Sequence, residues 1–409
     1  MSFFKKDFVV NAAGFFLFLS IPLSIFSGLI LAPVLIIFFA LALIHGGYKI
    51  KLNLPIILSI VFYIWALLSY SWSVEKSYIL ESWLRSFALF MFGIVTIYFF
   101  DALNKKHKEK LSAIMVAGFI ASLLFIIEEV VTGGFIAKGI RYAISGFSHY
   151  SYESSDMNRG ACFVAIIFWP AILIFSRITK SFMLSFLLWL ITGTSLLFLE
   201  SLSSIIGYFS ASFVFAAVYI FRAKKVIYFI SIITTLVLIG VPFISTKYTP
   251  ELIVNKLSFI PPSAIHRVYI WDFASNKATE SSILGIGFNS SRYVEGAGER
   301  LVVQGYEQFD LWTKLPLHPH NNIIQTWLEL GIIGVVSLLG IIFAVFRKIQ
   351  TSKLSISEKS IATSTLVSYL AIATMGFGAW QHWWMATAYI SIIYVLLSIS
   401  FRRSASKQN

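Results

Sequence analysis

Apolar runs close to twenty residues long alternate along this chain with short clusters of charged or turn-forming residues. A helix of about twenty apolar residues crosses the hydrocarbon layer of a bilayer. The alternation predicts twelve such spans, near residues 8–26, 28–46, 54–71, 83–100, 111–131, 158–176, 181–199, 202–221, 226–244, 321–346, 360–378 and 384–401. The boundary within the first pair, around Phe26-Ser27-Gly28, is the least distinct. The expected fold class is an all-α polytopic membrane protein of about twelve transmembrane helices. Most links are short, but 132–157 and 245–320 are not, and long loops in a compact architecture usually carry function. Four regions follow: residues 1–244 with spans one to nine, a loop domain over 245–320, spans ten to twelve over 321–401, and a tail over 402–409.

Two pieces of order are expected in the long loop between spans nine and ten. Pro261-Pro262 precedes apolar positions Ala264, Ile265, Val268, Trp271 and Ala274, a pattern for a short surface-lying amphipathic helix over 263–274. Leu284-Gly285-Ile286-Gly287-Phe288 reads as a tight glycine turn. From Ser290 to Leu315 the chain mixes charge and aromatics with no readable period.

Composition agrees with the spans. Of 409 residues, 58% are hydrophobic and 12% charged, about half the charged share of a soluble domain. The net charge of +13 would elsewhere suggest nucleic acid. With a cytoplasmic N-terminus, however, twenty of the 32 Lys and Arg fall in the inner segments, every one of which holds at least two. Topology therefore accounts for the basic balance, both termini are expected in the cytoplasm, and no nucleic-acid partner is needed. Lys5 and Lys6 ahead of an apolar run resemble a signal peptide. Because the run continues from Phe8 to Ile44 without a cleavage pattern, it is read as a retained span. The single Cys162 allows neither an internal disulfide nor a cysteine-based zinc site.

Candidate chemistry concentrates where the long loop meets span ten, from Leu317 to Gly331. A helix can begin near Asn321, an N-cap type of residue, after the His318-Pro319-His320 triplet. Asn321, Gln325 and Glu329 then recur at i, i+4 and i+8 as one polar stripe. Polar groups entering a bilayer are costly unless they line a cavity or meet a partner, so the stripe marks a candidate site. A plain helix-capping and interface-anchoring sequence is the alternative. A histidine that titrates near neutrality can act as a general base on a hydroxyl. On extended backbone, His318 and His320 would project to one side. The pair could also bind a metal, but no Asp, Glu or Cys stands at a ligand spacing, and Glu329 lies far along the helix.

Arg159, at the outer mouth of span six, and Arg267, on the expected loop helix, offer planar forks suited to phosphate oxygens. The competing readings are that Arg267 snorkels or stacks on Trp271, and that Arg159 pairs with Asp156. Glu128 and Glu129 end an outer helix, and His45 and His382 lie at helix ends. Trp380, Trp383 and Trp384, with Gln381 and His382 among them, fit an interfacial aromatic belt. A multispan transporter or flippase would place ionisable groups at the middle of several spans. Here most span centres lack them, and the polar cluster lies at the outer face.

The pattern His-x-His-Asn followed by Gln, Glu and two glycines, from His318 to Gly334, with Arg267…Trp271 and Leu284-Gly-Ile-Gly upstream, resembles the bacterial O-antigen ligase and polymerase superfamily. The twelve-span topology with its largest loop between spans nine and ten is similar too. The resemblance implies inverting, metal-independent glycan transfer on the periplasmic face of the inner membrane, without a cofactor. The donor would be a polysaccharide on undecaprenyl pyrophosphate; a ligase would use a sugar hydroxyl of lipid A–core as acceptor. His320 would be the activating base. Arg267 and Arg159 would hold the pyrophosphate and stabilise the leaving group, with His318, Asn321, Gln325 and Glu329 supporting them and the substrate. Many members carry an arginine after a serine in the eighth-span region. Leu202-Ser203-Ser204-Ile205-Ile206 has none, and Arg141 would be its substitute. A polymerase or a protein O-oligosaccharyltransferase shares this donor chemistry and stays open as an alternative.

Overall fold

In a bilayer the backbone has no water to bond, so apolar segments must satisfy their own amides, and they fold as helices. The computed structural model describes residues 2–145, 154–222, 224–247, 250–256, 261–303 and 312–401. The tail over 402–409 and part of the unread stretch between Ser290 and Leu315 lie outside the described residues. In chain order the helices are α1 (Ser2–Phe26), α2 (Leu31–His45), α3 (Leu54–Leu68), α4 (Ile79–Ala102), α5 (Lys105–Thr132), α6 (Phe135–Ser145), α7 (Asn158–Thr179) and α8 (Phe182–Phe198). They continue as α9 (Leu202–Phe221), α10 (Lys224–Lys247), α11 (Pro250–Lys256), α12 (Pro262–Glu280), α13 (Asn322–Thr351), α14 (Ile356–Ala373) and α15 (His382–Ser400). Among the described residues the only β pairing is an isolated bridge between Arg300 and Thr313.

Each expected span coincides with a helix, and among the described residues ten helices are long and apolar enough to cross a membrane. The other two differ for physical reasons. Helix α8 is apolar but has 17 residues. Helix α14 is polar, with Ser360, Thr363, Ser364, Thr365 and Ser368 all buried. It packs on α7 and α9, so its small hydroxyl residues face protein and allow close approach. Ser360 and Thr365 bond back to the carbonyls of Ile356 and Ile361 at 2.9 Å. A Cβ on Gly207 of α9 would sit 2.6 Å from the Ile372 side chain, which shows how closely the pair meets. Helix α7 is the buried axis of the bundle, flanked by α1, α5, α8, α9, α14 and α15.

Helix α12 runs longer than the expected 263–274 and turns a different face inward. Its buried residues are Ile265, Ile270, Ala274, Ser275 and Ala278, and it packs on α10 and α13. Pro261 caps it and Pro262 occupies its first turn, where a missing amide costs nothing.

Helix α13 begins where the sequence places it. Asn321 Oδ1 accepts from the amides of Ile323 and Ile324 at 3.0 and 3.1 Å. The helix is not continuous, because Gly331 sits at φ 63, ψ −168. Carbonyls freed by the break are taken up from outside. Ile286 N donates to Leu328 O (3.0 Å), Gly287 N to Glu329 O (2.9 Å) and Trp65 Nε1 to Leu330 O (2.9 Å). The glycine turn thus fills the break in α13. The segment after α3 clamps it from behind, through Val74 N to Ile286 O (3.1 Å) and Phe288 N to Ser69 Oγ (3.0 Å). A Cβ on Gly331 would lie 2.0 Å from Ile283 O. Gly331→Val should therefore destabilise the protein by more than the ~1–3 kcal/mol of backbone strain alone, read as a lower Tm of the detergent-solubilised chain. An unchanged Tm would mean the break is not required.

Candidate active site

The loop helix α12, the start of α13 and the segment linking α14 to α15 build the site. His320 does not sit on extended backbone as expected; its φ is 55. Two contacts fix it there. Trp271 Nε1 donates to Pro319 O at 3.0 Å, and His320 Nδ1 lies 2.6 Å from Gly376 O. A left-handed non-glycine residue is uncommon and held only by its surroundings. A carbonyl can only accept, so Nδ1 carries the ring hydrogen and Nε2 keeps its lone pair. Burial pushes the His320 pKa down to about 4, with nearby Arg267 and His266 adding to the fall and the Gly376 carbonyl opposing it. The ring is neutral at physiological pH and can accept a proton at Nε2.

The His318 and His320 rings still meet, edge to face with centroids 4.4 Å apart. His318 is 8% exposed. Its Nδ1 accepts from His320 N at 3.2 Å, and its Nε2 lies 3.0 Å from the Gln381 amide nitrogen. Burial, His320 and Arg292 push its pKa down to about 3.

Arg267 is half-buried and has no hydrogen bond or ion pair among the described residues. Burial lowers its pKa, and its charge acts on both Cys162 and His320. Its guanidinium therefore stands beside the base as a cation with no counter-ion among the described residues. Arg159, exposed at the start of α7, lies over the Trp383 ring at 5.8 Å. Asp156 faces Arg141 at 3.9 Å, so Arg141 is tied to the mouth of α7 from helix α6.

The stripe Asn321, Gln325 and Glu329 is buried, and its polar atoms engage protein apart from Asn321 Nδ2, which has no partner among the described residues. Gln325 bridges Ala379 N (2.8 Å) and Glu329 Oε1 (3.0 Å). Glu329 further accepts from Ser291 Oγ (2.5 Å), Asn289 N (2.7 Å) and Trp380 Nε1 (2.5 Å). One carboxylate thus joins α13, the chain after the glycine turn and the segment before α15. Glu329→Gln would set an amide donor against these donors. It should lower stability by ~1–3 kcal/mol and reduce activity, with both losses seen in parallel Tm and transfer measurements. Wild-type values for both would remove the structural role.

Two contributors were missed in the sequence. The first is the link 374–383: its tryptophans, with Trp384, were expected as an aromatic belt, and its residues up to 378 as the end of a span. Instead Trp383 and Trp384 are 3% and 0% exposed, and Trp380 bonds Glu329. Its signal was an amide and two glycines, Gly376 and Gly378, set among tryptophans. A Cβ on Gly378 would lie 2.7 Å from the His318 ring, so the segment lies directly on that ring. The second is His266, stacked on Trp312 at 4.6 Å with Nε2 2.9 Å from Thr313 O. It anchors the strand leading to the His pair beside Arg267.

Comparison with known proteins bears on this geometry. Residues 185–339 match the model of a family described as O-antigen ligase. That stretch holds Arg267, His318, His320 and the polar stripe, but neither Arg159 nor 374–383. A Rickettsia felis protein named "Putative polysaccharide ligase" is 27% identical over 366 residues, 88% of this chain and 84% of that protein. A Rickettsia prowazekii protein of the same description is 28% identical over 342 residues, 83% of this chain and 78% of that protein.

Proposed function

We propose, taking as premise that this chain sits in the O-antigen ligase superfamily, that it transfers a polysaccharide from undecaprenyl pyrophosphate to a sugar hydroxyl of lipid A–core. The observation that carries the reading is His320, its Nδ1 held by the Gly376 carbonyl so that Nε2 keeps its lone pair, next to the cation Arg267, which has no counter-ion among the described residues. A base beside such a cation suits a reaction that takes a proton from one partner and releases an anion from the other.

In the proposed step, His320 Nε2 removes the acceptor hydroxyl proton as the oxygen attacks the anomeric carbon. The bond from that carbon to the pyrophosphate oxygen breaks, and undecaprenyl pyrophosphate leaves with the electron pair. Arg267 and Arg159 take up the charge that develops on it, each through a planar fork. A single displacement inverts the anomeric configuration. The imidazolium then returns its proton to water. Asn321, Gln325 and Glu329 hold the start of α13 and the α14–α15 link in place. The basic inner segments support an outward-facing site in the inner membrane with both termini in the cytoplasm.

Purified full-length protein in nanodiscs, given the lipid-linked glycan and lipid A–core together, should place glycan on lipid A–core. Longer chains on the undecaprenyl carrier alone would make it a polymerase. Transfer only to an added protein acceptor would make it a protein O-oligosaccharyltransferase. Transfer to none of them would overturn the proposal.

A further inference from the structure

His318 is a second imidazole only 4.4 Å from His320 by ring centroids, and two such rings would ordinarily compete for one proton. The structure gives them opposite surroundings. His320 Nδ1 faces an acceptor, the Gly376 carbonyl, which suits a ring able to become charged. His318 faces donors only, the His320 amide at Nδ1 and the Gln381 side-chain amide at Nε2. A neutral ring has one lone pair and one N–H, so it accepts from one of these donors; an imidazolium has no lone pair, would turn N–H groups toward both, and is the more disfavoured form. The charged groups around the pair repel a proton as well: Arg292 acts on His318, while Arg267 and His266 act on His320.

The polarity of the Gln381 amide decides this, and it is fixed. Trp383 Nε1 donates to Gln381 Oε1 at 3.1 Å, so the NH2 group is left to face His318. The backbone at Gly378 lies against the same ring and blocks its retreat. Trp383 also carries Arg159 over its ring, so the tryptophan that orients the amide touches the candidate phosphate-binding arginine.

We propose that Gln381, oriented by Trp383, is a positioning residue that keeps His318 neutral and so favours His320 over His318 as the member of the pair that takes the proton. The inference rests on His320 being the base. It makes Gln381 a determinant of which histidine titrates, without contact to substrate.

The test uses the full-length chain in nanodiscs with 15N-labelled histidine, His318 being assigned by loss of its signals in His318→Asn. In the wild type, His318 should stay neutral from pH 8 down to pH 5. Gln381→Glu puts a carboxylate where the donor was, and His318 should then become protonated at neutral pH. Transfer at pH 7 should fall about tenfold, because a charged neighbour depresses the basicity of His320, and recover as pH rises and His318 loses its proton. Trp383→Phe keeps a ring under Arg159 but frees the amide to turn, and should shift the His318 signals without changing the fold. Protonated His318 in the wild type would overturn the proposal. So would an unchanged His318 spectrum and a pH profile of wild-type shape in Gln381→Glu, the mark of a merely structural contact. If His320→Ala keeps full transfer, the assignment of the base fails, while the charge state of His318 is still read directly from the spectra.

Discussion

Replacing His320 with glutamine should cut the rate of glycan transfer about 10²–10⁴-fold, the range typical for loss of a general base. Glutamine can still donate to the Gly376 carbonyl that holds the residue, so the loop should keep its place and donor binding should change little. What is lost is the lone pair at Nε2. Single-turnover rates and donor affinity, measured on the same preparation, separate the two. The pH dependence has a definite sign. The base works unprotonated, and burial with neighbouring positive charge holds its pKa down to about 4. Wild-type kcat/KM, which reports the free enzyme, should therefore be flat through neutrality and fall only as pH drops through about 4. Once donor pyrophosphate lies against Arg267, part of that positive charge is neutralised, so the acid limb of kcat should lie at higher pH. A kcat/KM that falls already below pH 7 would point to a different base.

Arg267→Ala should cost about 10²–10³-fold in kcat, as removal of a donor aimed at developing charge does. Arg267→Lys should recover only part, since a point charge cannot match two phosphate oxygens as a fork does. The stability effect has the opposite sign from the usual arginine truncation. The guanidinium is half-buried and lacks a counter-ion among the described residues, so the fold bears its desolvation. Arg267→Ala should leave Tm unchanged or raise it, while wild-type Tm should rise on adding inorganic pyrophosphate and the variant's should not. A variant with lowered Tm and a proportionate loss of activity would make Arg267 a structural residue.

Much of this was legible because local rules and tertiary structure agree. Apolar length marked the helices, and Asn321 marked the start of α13 because a cap needs only its own next turn. The His318–Glu329 cluster stood out because polar groups in an apolar run need a reason. The break at Gly331 was hidden because the residues on both sides read as one apolar helix, and its cause, the turn near Gly285, lies far away in sequence. Helix α14 was counted as a span by length, but its hydroxyls are tolerable only because α7 and α9 cover it. The tryptophans after Gly378 look the same in sequence whether they face lipid or a histidine. Only the fold shows that Gln381 meets His318. The sequence singled out Asn321, Gln325 and Glu329 as one polar stripe, and the structure gives their polar atoms protein partners apart from Asn321 Nδ2, which is buried without one among the described residues.

The most direct measurement is the anomeric configuration of the new glycosidic bond. Purified wild-type protein would be given a lipid-linked glycan of known configuration, and the product linkage read by NMR. One displacement, with His320 deprotonating the attacking hydroxyl while the pyrophosphate leaves beside Arg267, must give inversion. Retention of configuration would require a glycosyl-enzyme intermediate on some other nucleophile and would contradict the roles assigned to His320 and Arg267.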